Sequence, residues 1–148
     1  MPKSSLILLF AATLLTGCGE PEDTRPGQPV KTRQVAFKEI IKAFEPMGVM
    51  LRNDRYDAEK FAQLNQSLMA RRDAPWSHFG ADTDYPPTKA TAEVWRQPRL
   101  FEEKRQQFIQ ATDKLSEAVA SQDRPRIEAA YQATYETCQS CHKIFRKR

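Results

Sequence analysis

The fold is decided by the last stretch of the chain, residues 123–146, which reads DRPRIEAAYQATYETCQSCHKIFR. Asp123 is a favourable N-cap, and Pro125 lies in the first turn, where its missing amide hydrogen does no harm. Apolar and small residues then recur at helical spacing as far as Cys138, Cys141 and His142. This spacing predicts one long helix that carries both cysteines and the histidine near its end.

The pentad Cys138-Gln-Ser-Cys141-His142 is the attachment pattern of a c-type haem. In that chemistry each thiol adds across one vinyl group of the porphyrin, and the adjacent histidine ligates the iron. A structural zinc site needs four ligands, and beyond these three only His78, Cys18 and acidic residues remain. A redox dithiol usually lies where a strand meets a helix, and no strand pattern is evident. The pentad therefore predicts one covalent haem c.

The first 17 residues have the pattern of a targeting segment rather than of a folded element. Lys3 is followed by an apolar run over 5–15 and by Leu15-Thr-Gly-Cys18, which resembles a bacterial lipobox. We expect a lipoprotein signal peptide over 1–17, cleavage before a lipidated Cys18, and a Pro- and Gly-rich flexible tether over 18–30. The predicted location is the periplasmic side of a bacterial membrane, held by lipid. The alternative is an ordinary secretory signal with a chance cysteine.

Composition favours one soluble helical domain. The chain has 148 residues, 28% of them charged, 40% hydrophobic and only five of them glycine. Its formal net charge is +4, but the cations are mostly interleaved with acids, and no basic stripe with aromatic residues appears. We therefore expect no nucleic-acid partner. One thiol for lipid and two for haem leave none for a disulfide.

The apolar spacing predicts four helices between residues 31 and 148. The first begins at Lys31 and should be bent or split by Pro46, and the second follows an N-cap at Asp57 and ends at Arg71 or Arg72. A loop over 73–87 and a short turn over 91–96 precede the third helix, predicted over 99–121. The expected fold is all-α, an antiparallel four-helix bundle with covalent haem on its C-terminal helix.

Four pieces of sequence carry a resemblance to a known family. They are Lys31-Thr-Arg-Gln34, Ala74-Pro-Trp-Ser-His-Phe-Gly80, Glu93-Val-Trp95 and Thr137-Cys-Gln-Ser-Cys-His-Lys-Ile-Phe-Arg146. In this order, with the cysteine motif on the last helix, the chain over 31–148 resembles the class II c-type cytochromes, in particular cytochrome c′.

The resemblance implies a role for six residues. Cys138 and Cys141 would form the thioethers, and His142 would be the proximal iron ligand. The other three are Arg33 beside a haem propionate, Trp76 packed by the haem, and Arg146 near the proximal histidine. For these three, simpler interpretations stay open: surface charges for Arg33 and Arg146, and a plain core tryptophan for Trp76.

The second axial position of the iron divides this family, and here the matching residue is Phe37. Phenylalanine has no lone pair, whereas Met47 and Met50 lie further along the helix and are more simply core residues. His78 is the other candidate ligand. We therefore expect five-coordinate iron shielded by Phe37.

Family resemblance then implies selective nitric oxide binding, on the Phe37 face or on the proximal face after displacement of His142. The alternative function is a periplasmic one-electron carrier with respiratory redox partners. We expect no enzyme activity, since no distal acid–base pair is apparent for a peroxidase. Relatives also suggest a homodimer.

Overall fold

The computed structural model describes residues 21–147, and most of them are helical. The predicted signal peptide and Cys18 lie outside these residues. The elements are α1 (Pro29–Arg52), α2 (Ala58–Arg71), a 3₁₀ turn (Trp76–His78), α3 (Glu93–Arg96), α4 (Pro98–Ser121) and α5 (Arg124–Phe145). Residues 21–147 contain no strand beyond an isolated antiparallel bridge between Ala90 and Arg146. The four long helices form the predicted all-α bundle, and short turns make α1–α2 and α4–α5 antiparallel pairs.

The helix starts predicted from capping residues are confirmed. The side chain of Asp57 accepts a hydrogen bond from the backbone N–H of Lys60 at 2.9 Å. Asp123 does the same for Arg126 at 3.3 Å, and Pro125 lies in the first turn of α5. In both helices the carboxylate satisfies an amide hydrogen that has no partner within the helix.

The sequence predicts that Pro46 bends or splits α1, and the split does not occur. Helix α1 runs without interruption for 24 residues through Pro46. The carbonyl that loses its partner belongs to Lys42, four residues earlier, and Lys42 is exposed. Water can therefore satisfy that oxygen, and the packing of the opposite face keeps the helix continuous.

The interior consists of two apolar clusters. The main core lies between all four long helices and consists of Ile40, Ala43, Phe44, Met47, Met50, Phe61, Leu68, Phe108, Leu115, Ala118, Ile127 and Tyr131. The terminal cluster is smaller and is built on Ala90, Val94 and Phe145. Met47 and Met50 are 0% and 8% exposed, which confirms that they are core residues.

The Tyr131 side chain of α5 lies against Gly48 of α1. The ring of Tyr131 stacks on Phe44 with centroids 4.4 Å apart and planes 12° apart. A Cβ atom at Gly48 would collide with the Tyr131 hydroxyl. The absence of a side chain at this position lets Tyr131 enter the core from α5.

The predicted flexible tether is wrong from Asp23 onward, because this segment is bonded to the domain. Asp23 is 1% exposed, and its carboxylate accepts from the backbone N–H groups of Val30 at 2.9 Å and Lys31 at 3.1 Å. It also accepts from the Tyr85 hydroxyl at 2.8 Å. The N-cap residue Gln28 is left-handed (φ 43°) and makes no side-chain cap. Asp23 caps α1 in its place, five residues earlier, and the helix begins at Pro29 rather than Lys31.

Replacing Asp23 by Asn should destabilise the protein at neutral pH and remove part of its acid sensitivity. Burial raises the pKa of Asp23, but hydrogen bonds from Tyr85 and three backbone amides outweigh it and leave the pKa below 3.8. The carboxylate's contribution is therefore essentially complete above about pH 5 and is lost as the pH falls through the native pKa. Urea unfolding of the holoprotein at several pH values measures the free energy of unfolding. The deficit of Asp23→Asn in this free energy, relative to the parent protein, should be largest at pH 7 and shrink in acid.

The control is Glu22→Gln, which removes the neighbouring exposed carboxylate. The free energy of unfolding of this variant should match that of the parent protein at every pH. A deficit of Asp23→Asn that stays constant from pH 7 to pH 3 would show that the ionised carboxylate is not what caps α1.

Candidate haem site

The two predicted attachment cysteines lie where the two apolar clusters meet. Cys138 packs against the main core, and Cys141 packs against the terminal cluster. Both are half-buried, and both thiols are free. Because they are three residues apart on α5, they lie on neighbouring parts of one helix face.

Burial keeps both thiols protonated. It raises the pKa of Cys138 to about 11, and it raises the pKa of Cys141 to about 11 with a contribution from Cys138. A catalytic dithiol requires the opposite, a cysteine whose pKa is lowered by a helix N-terminus or a neighbouring cation. The redox-dithiol alternative is therefore disfavoured by the environment of these residues.

His142 follows on the last turn of α5, and its side chain reaches the surface. Neighbouring protein atoms lower its pKa by desolvation, and the positive charge of Arg146 lowers the pKa further. Both effects favour the neutral imidazole, which is the form that ligates a metal.

The sequence placed Arg146 one helical turn beyond His142, but α5 ends at Phe145 and Arg146 is extended (φ −117°, ψ 130°). Its backbone N–H still bonds to the carbonyl of His142 at 3.2 Å, and the residue pairs with Ala90. The neighbouring N–H of Thr91 donates to the carbonyl of Phe145 at 3.0 Å. These bonds fasten the end of α5 to the loop before α3 and keep Arg146 beside His142.

Phe37 belongs to an aromatic triad with Trp76 and Phe79. Its ring centroid lies 5.3 Å from that of Trp76 and 6.2 Å from that of Phe79, both in edge-to-face geometry. The indole N–H of Trp76 donates to the carbonyl of Arg72 at 2.7 Å, so it is not free for another acceptor. Phe37, Trp76 and Cys138 all pack on the main core. The structure therefore brings Phe37 and Trp76 into contact, and Cys138 packs on the same core.

Phe101 connects the triad to the terminal cluster. Its ring lies 4.9 Å from Phe79 and 5.2 Å from Phe145, the last residue of α5. This continuous aromatic packing links α1, the middle loop, α4 and the end of the helix that carries the cysteines.

Arg33 is 2% exposed and binds the middle loop with both terminal nitrogens of its guanidinium group. Nη1 donates to the carbonyl of His78 at 3.0 Å and to the hydroxyl of Thr83 at 2.8 Å. Nη2 donates to the carbonyl of Thr83 at 3.0 Å and to the hydroxyl of Thr88 at 2.5 Å. The guanidinium carbon also lies 4.6 Å from the centroid of the Phe79 ring. The interpretation of Arg33 as a surface charge is therefore wrong.

The four acceptors of Arg33 are neutral oxygens, so its charge is buried without a bonded carboxylate. Burial lowers the pKa of Arg33, while Tyr85, Asp23 and Asp84 act in the opposite direction. A buried cation in this state is stabilised by an anion that approaches it. The sequence predicts a haem propionate beside Arg33. The buried positive charge is consistent with that position, and the position stays a prediction.

These residues fit a covalent haem. They supply two protonated thiols at the right spacing, an adjacent neutral histidine, apolar and aromatic surroundings, and a buried cation for a carboxylate. Within residues 21–147 no three His, Cys, Asp or Glu side chains converge as ligands for a metal ion. The described residues therefore give the zinc alternative no support.

Comparison with known proteins agrees with this assignment. The family model described as Cytochrome C′ matches residues 28–146. The chain belongs to the cytochrome c′ family. Members of this family carry a covalent haem c, for which Cys138 and Cys141 are the candidate attachment cysteines.

The cytochrome c′ of Alcaligenes xylosoxydans xylosoxydans is 29% identical over 125 residues, which are 84% of this chain and 97% of the relative. That of Rubrivivax gelatinosus is 29% identical over 126 residues, covering 84% and 98%. Among solved structures, cytochrome c prime from Shewanella frigidimarina superposes with a TM-score of 0.80 at 29% identity and covers 84% of this chain and 98% of its own. A nitric oxide complex of a mutant cytochrome c prime from Alcaligenes xylosoxidans gives 0.78 at 29% identity, with 86% and 99% covered.

Thr83, Thr88 and Phe79 were missed as contributors to the site. Phe79 lies inside a segment that carried the family resemblance, so its proximity to Trp76 was a usable signal. The two threonines carry no such signal, since they become ligands of Arg33 only when a loop about 50 residues away folds over α1.

Replacing Arg33 by Gln should release the middle loop without unfolding the bundle. One amide cannot replace four donors, and each buried acceptor left unpaired costs about 1–3 kcal/mol. In hydrogen-exchange mass spectrometry of the holoprotein, peptides covering residues 78–91 should exchange at least about tenfold faster, since 1.4 kcal/mol corresponds to a factor of ten. Peptides of α2 should keep their protection.

Arg96→Gln is the matched control, because Arg96 is exposed and its side chain bonds only to Glu93 within the same short helix. It should leave exchange over 78–91 unchanged. Unaltered exchange in Arg33→Gln would mean that the loop is held by its aromatic packing alone.

Proposed function

We propose that this cytochrome c′ family member binds nitric oxide at a five-coordinate haem iron. The observation that carries the proposal is Phe37, which occupies the position where other class II cytochromes would supply a ligand and which offers no lone pair. Its packing against Trp76 and Phe79 holds the ring in place. Met47 and Met50 are in the core, so neither is available nearby as a substitute.

When bound, the haem would supply an iron that can bind a diatomic molecule. On this proposal Cys138 and Cys141 hold the group through thioethers, and His142 is the protein ligand. Arg33 contributes a fixed positive charge that attracts a carboxylate through its charge, since its terminal N–H groups are bonded to the loop.

The aromatic triad supplies no hydrogen bond to a bound ligand. Phe37 and Phe79 have no donor, and the indole N–H of Trp76 is committed to Arg72. A polar ligand such as dioxygen therefore gains nothing from these side chains, whereas nitric oxide binds ferrous haem strongly without such help. The triad also contains no acid–base pair, which supports a binding role rather than an enzymatic one.

Relatives support gas binding. Solved structures similar to this chain include nitric oxide complexes and a carbon monoxide complex of variants of the Alcaligenes xylosoxidans protein. These ligands are properties of that protein, and their transfer to this chain is part of the proposal.

We further propose that the protein is anchored by lipid at Cys18 on the periplasmic side of a bacterial membrane. The support is the lipobox-like Leu15-Thr-Gly-Cys18 after an apolar run. Over residues 21–147, none of the helices is long and apolar enough to cross a bilayer. A homodimer stays a prediction, supported by the exposed apolar residues Ile41 and Val49 on α1.

The ferrous holoprotein should show a five-coordinate high-spin absorption spectrum and should bind nitric oxide in preference to dioxygen. Phe37→Met should produce a six-coordinate low-spin spectrum without added ligand and slow nitric oxide binding, because a thioether competes for the iron. Phe37→Leu, the matched apolar control, should stay high-spin. A low-spin spectrum of the parent protein, or rapid electron exchange with a respiratory partner and negligible nitric oxide affinity, would favour the electron-carrier alternative.

Mass spectrometry of the envelope-extracted protein tests the anchor. The mature chain should begin at Cys18, and its N-terminal peptide should carry the mass of a diacylglycerol and a further acyl chain. In Cys18→Ser this modification should be absent, while haem attachment persists because Cys138 and Cys141 are intact. An unmodified Cys18 in the parent protein would rule the lipid anchor out.

A further inference from the structure

One surface cleft outside the haem site is lined by lysines from distant parts of the chain. It has a volume of about 490 Å³ and lies between the first turns of α1, the loop at Pro86–Lys89, the last residues of the chain and the segment that precedes α1. We call it the lysine cleft and define it by Lys31, Lys38, Lys89 and Lys147, with Val35, Pro86 and Pro87 between them. All four lysines are exposed.

The lysine cleft carries more positive than negative charge. None of its four lysines forms an ion pair with a residue in 21–147. Two acids also line the cleft, Glu22 and Asp23. Asp23 is directed at the first turn of α1 and at Tyr85, so Glu22 is the only one of the two that is exposed. The cleft therefore presents a positive surface with apolar patches, which suits an anionic group attached to hydrocarbon.

The chain itself brings a membrane to this cleft. Pro21 and Glu22 are part of its lining, and Asp23 fixes this segment to α1. Cys18 lies three residues before Pro21, so its Cα atom is at most about 11 Å from that of Pro21 along an extended chain. The segment between a lipid at this point and the domain is too short for the domain to turn another face to the bilayer.

We propose that the lysine cleft is the membrane-facing surface of the domain and binds the phosphate headgroups of anionic phospholipids, an inference that rests on the lipid anchor proposed above. Lysine ammonium groups act as mobile point charges, which suit phosphodiesters on a fluid surface. An acidic protein partner would satisfy the charge, but only a membrane accounts for the position of the cleft beside the anchored end of the chain.

This orientation also places the loop that Arg33 organises at the membrane surface. Lys89 and Lys147 are joined by a backbone hydrogen bond of 2.8 Å, and the neighbouring Thr88 binds Arg33 at 2.5 Å. The membrane-facing surface thus adjoins the bonds that fasten α5 beside His142.

Vesicle binding without the lipid tests the proposal. The protein is the mature holoprotein with Cys18→Ser, exported behind a signal peptide cleaved just before that position. It should sediment with vesicles of equal parts phosphatidylcholine and phosphatidylglycerol but not with phosphatidylcholine alone. Binding should be lost in 1 M salt, where the screening length falls to about 3 Å. Lys38→Gln with Lys89→Gln should weaken binding about 25-fold, at about fivefold for each lysine near an anionic surface.

The matched control removes two exposed lysines elsewhere, Lys60→Gln at the start of α2 and Lys114→Gln on α4. It should weaken binding less than about threefold, because neither residue lines the lysine cleft. Unchanged haem spectra in both double variants exclude loss of folding as the cause.

Equal losses in the two double variants, equal binding to neutral vesicles, or no binding to anionic vesicles would each overturn the proposal. The last outcome would assign the cleft to a soluble anionic partner. Failure of the anchor is separate: an unmodified Cys18 with cleft-dependent vesicle binding would overturn the lipid anchor and leave the headgroup contact standing.

Discussion

Burial of the Arg33 guanidinium is the interaction on which the haem end of the molecule depends. Its four bonds convert a long, proline-containing loop into a fixed surface on α1. The hydroxyl of Thr88 also accepts from the backbone N–H of Ala90 at 3.0 Å, and Ala90 pairs with Arg146 at the end of α5. A single side chain on the first helix therefore helps to set the position of the last helix, and with it His142.

Desolvation has opposite effects on the pKa values of the cysteines and the histidine of the site, and in both cases it favours the uncharged form. It raises the pKa values of Cys138 and Cys141, so both thiols stay protonated. It lowers the pKa of His142, so the imidazole stays neutral. Desolvation always penalises the charged form, so the same apolar environment raises the pKa of an acid and lowers the pKa of a base. The result is a set of uncharged donors beside one buried cation, a combination suited to a ligand that carries carboxylates on an apolar ring.

The sequence predicted local features well because local features have local causes. The caps at Asp57 and Asp123, the extent of α2 and the core positions of Met47 and Met50 all follow from spacing and from single residues. The start of α1 was predicted two residues late because its cap, Asp23, lies outside the usual position and depends on a left-handed Gln28. The partners of Arg33 could not be predicted from spacing, since a buried cation on neutral oxygens appears only after the loop has folded.

Under the proposed function, the site is selective among diatomic ligands because its hydrogen-bond donors are already bonded to other groups of the protein. Trp76 lies against Phe37, but its N–H is bonded to Arg72. The Phe79 ring lies against the face of the Arg33 guanidinium group. The terminal N–H groups of Arg33 are bonded to the loop. A ligand such as dioxygen, which needs a hydrogen bond to stay bound, finds no free donor among these side chains. Nitric oxide, whose bond to iron is strong by itself, loses little affinity. The hydrogen bonds that hold the loop in place are thus the same ones that keep the neighbourhood of Phe37 apolar, so loop stability and ligand preference are coupled through Arg33 and Trp76.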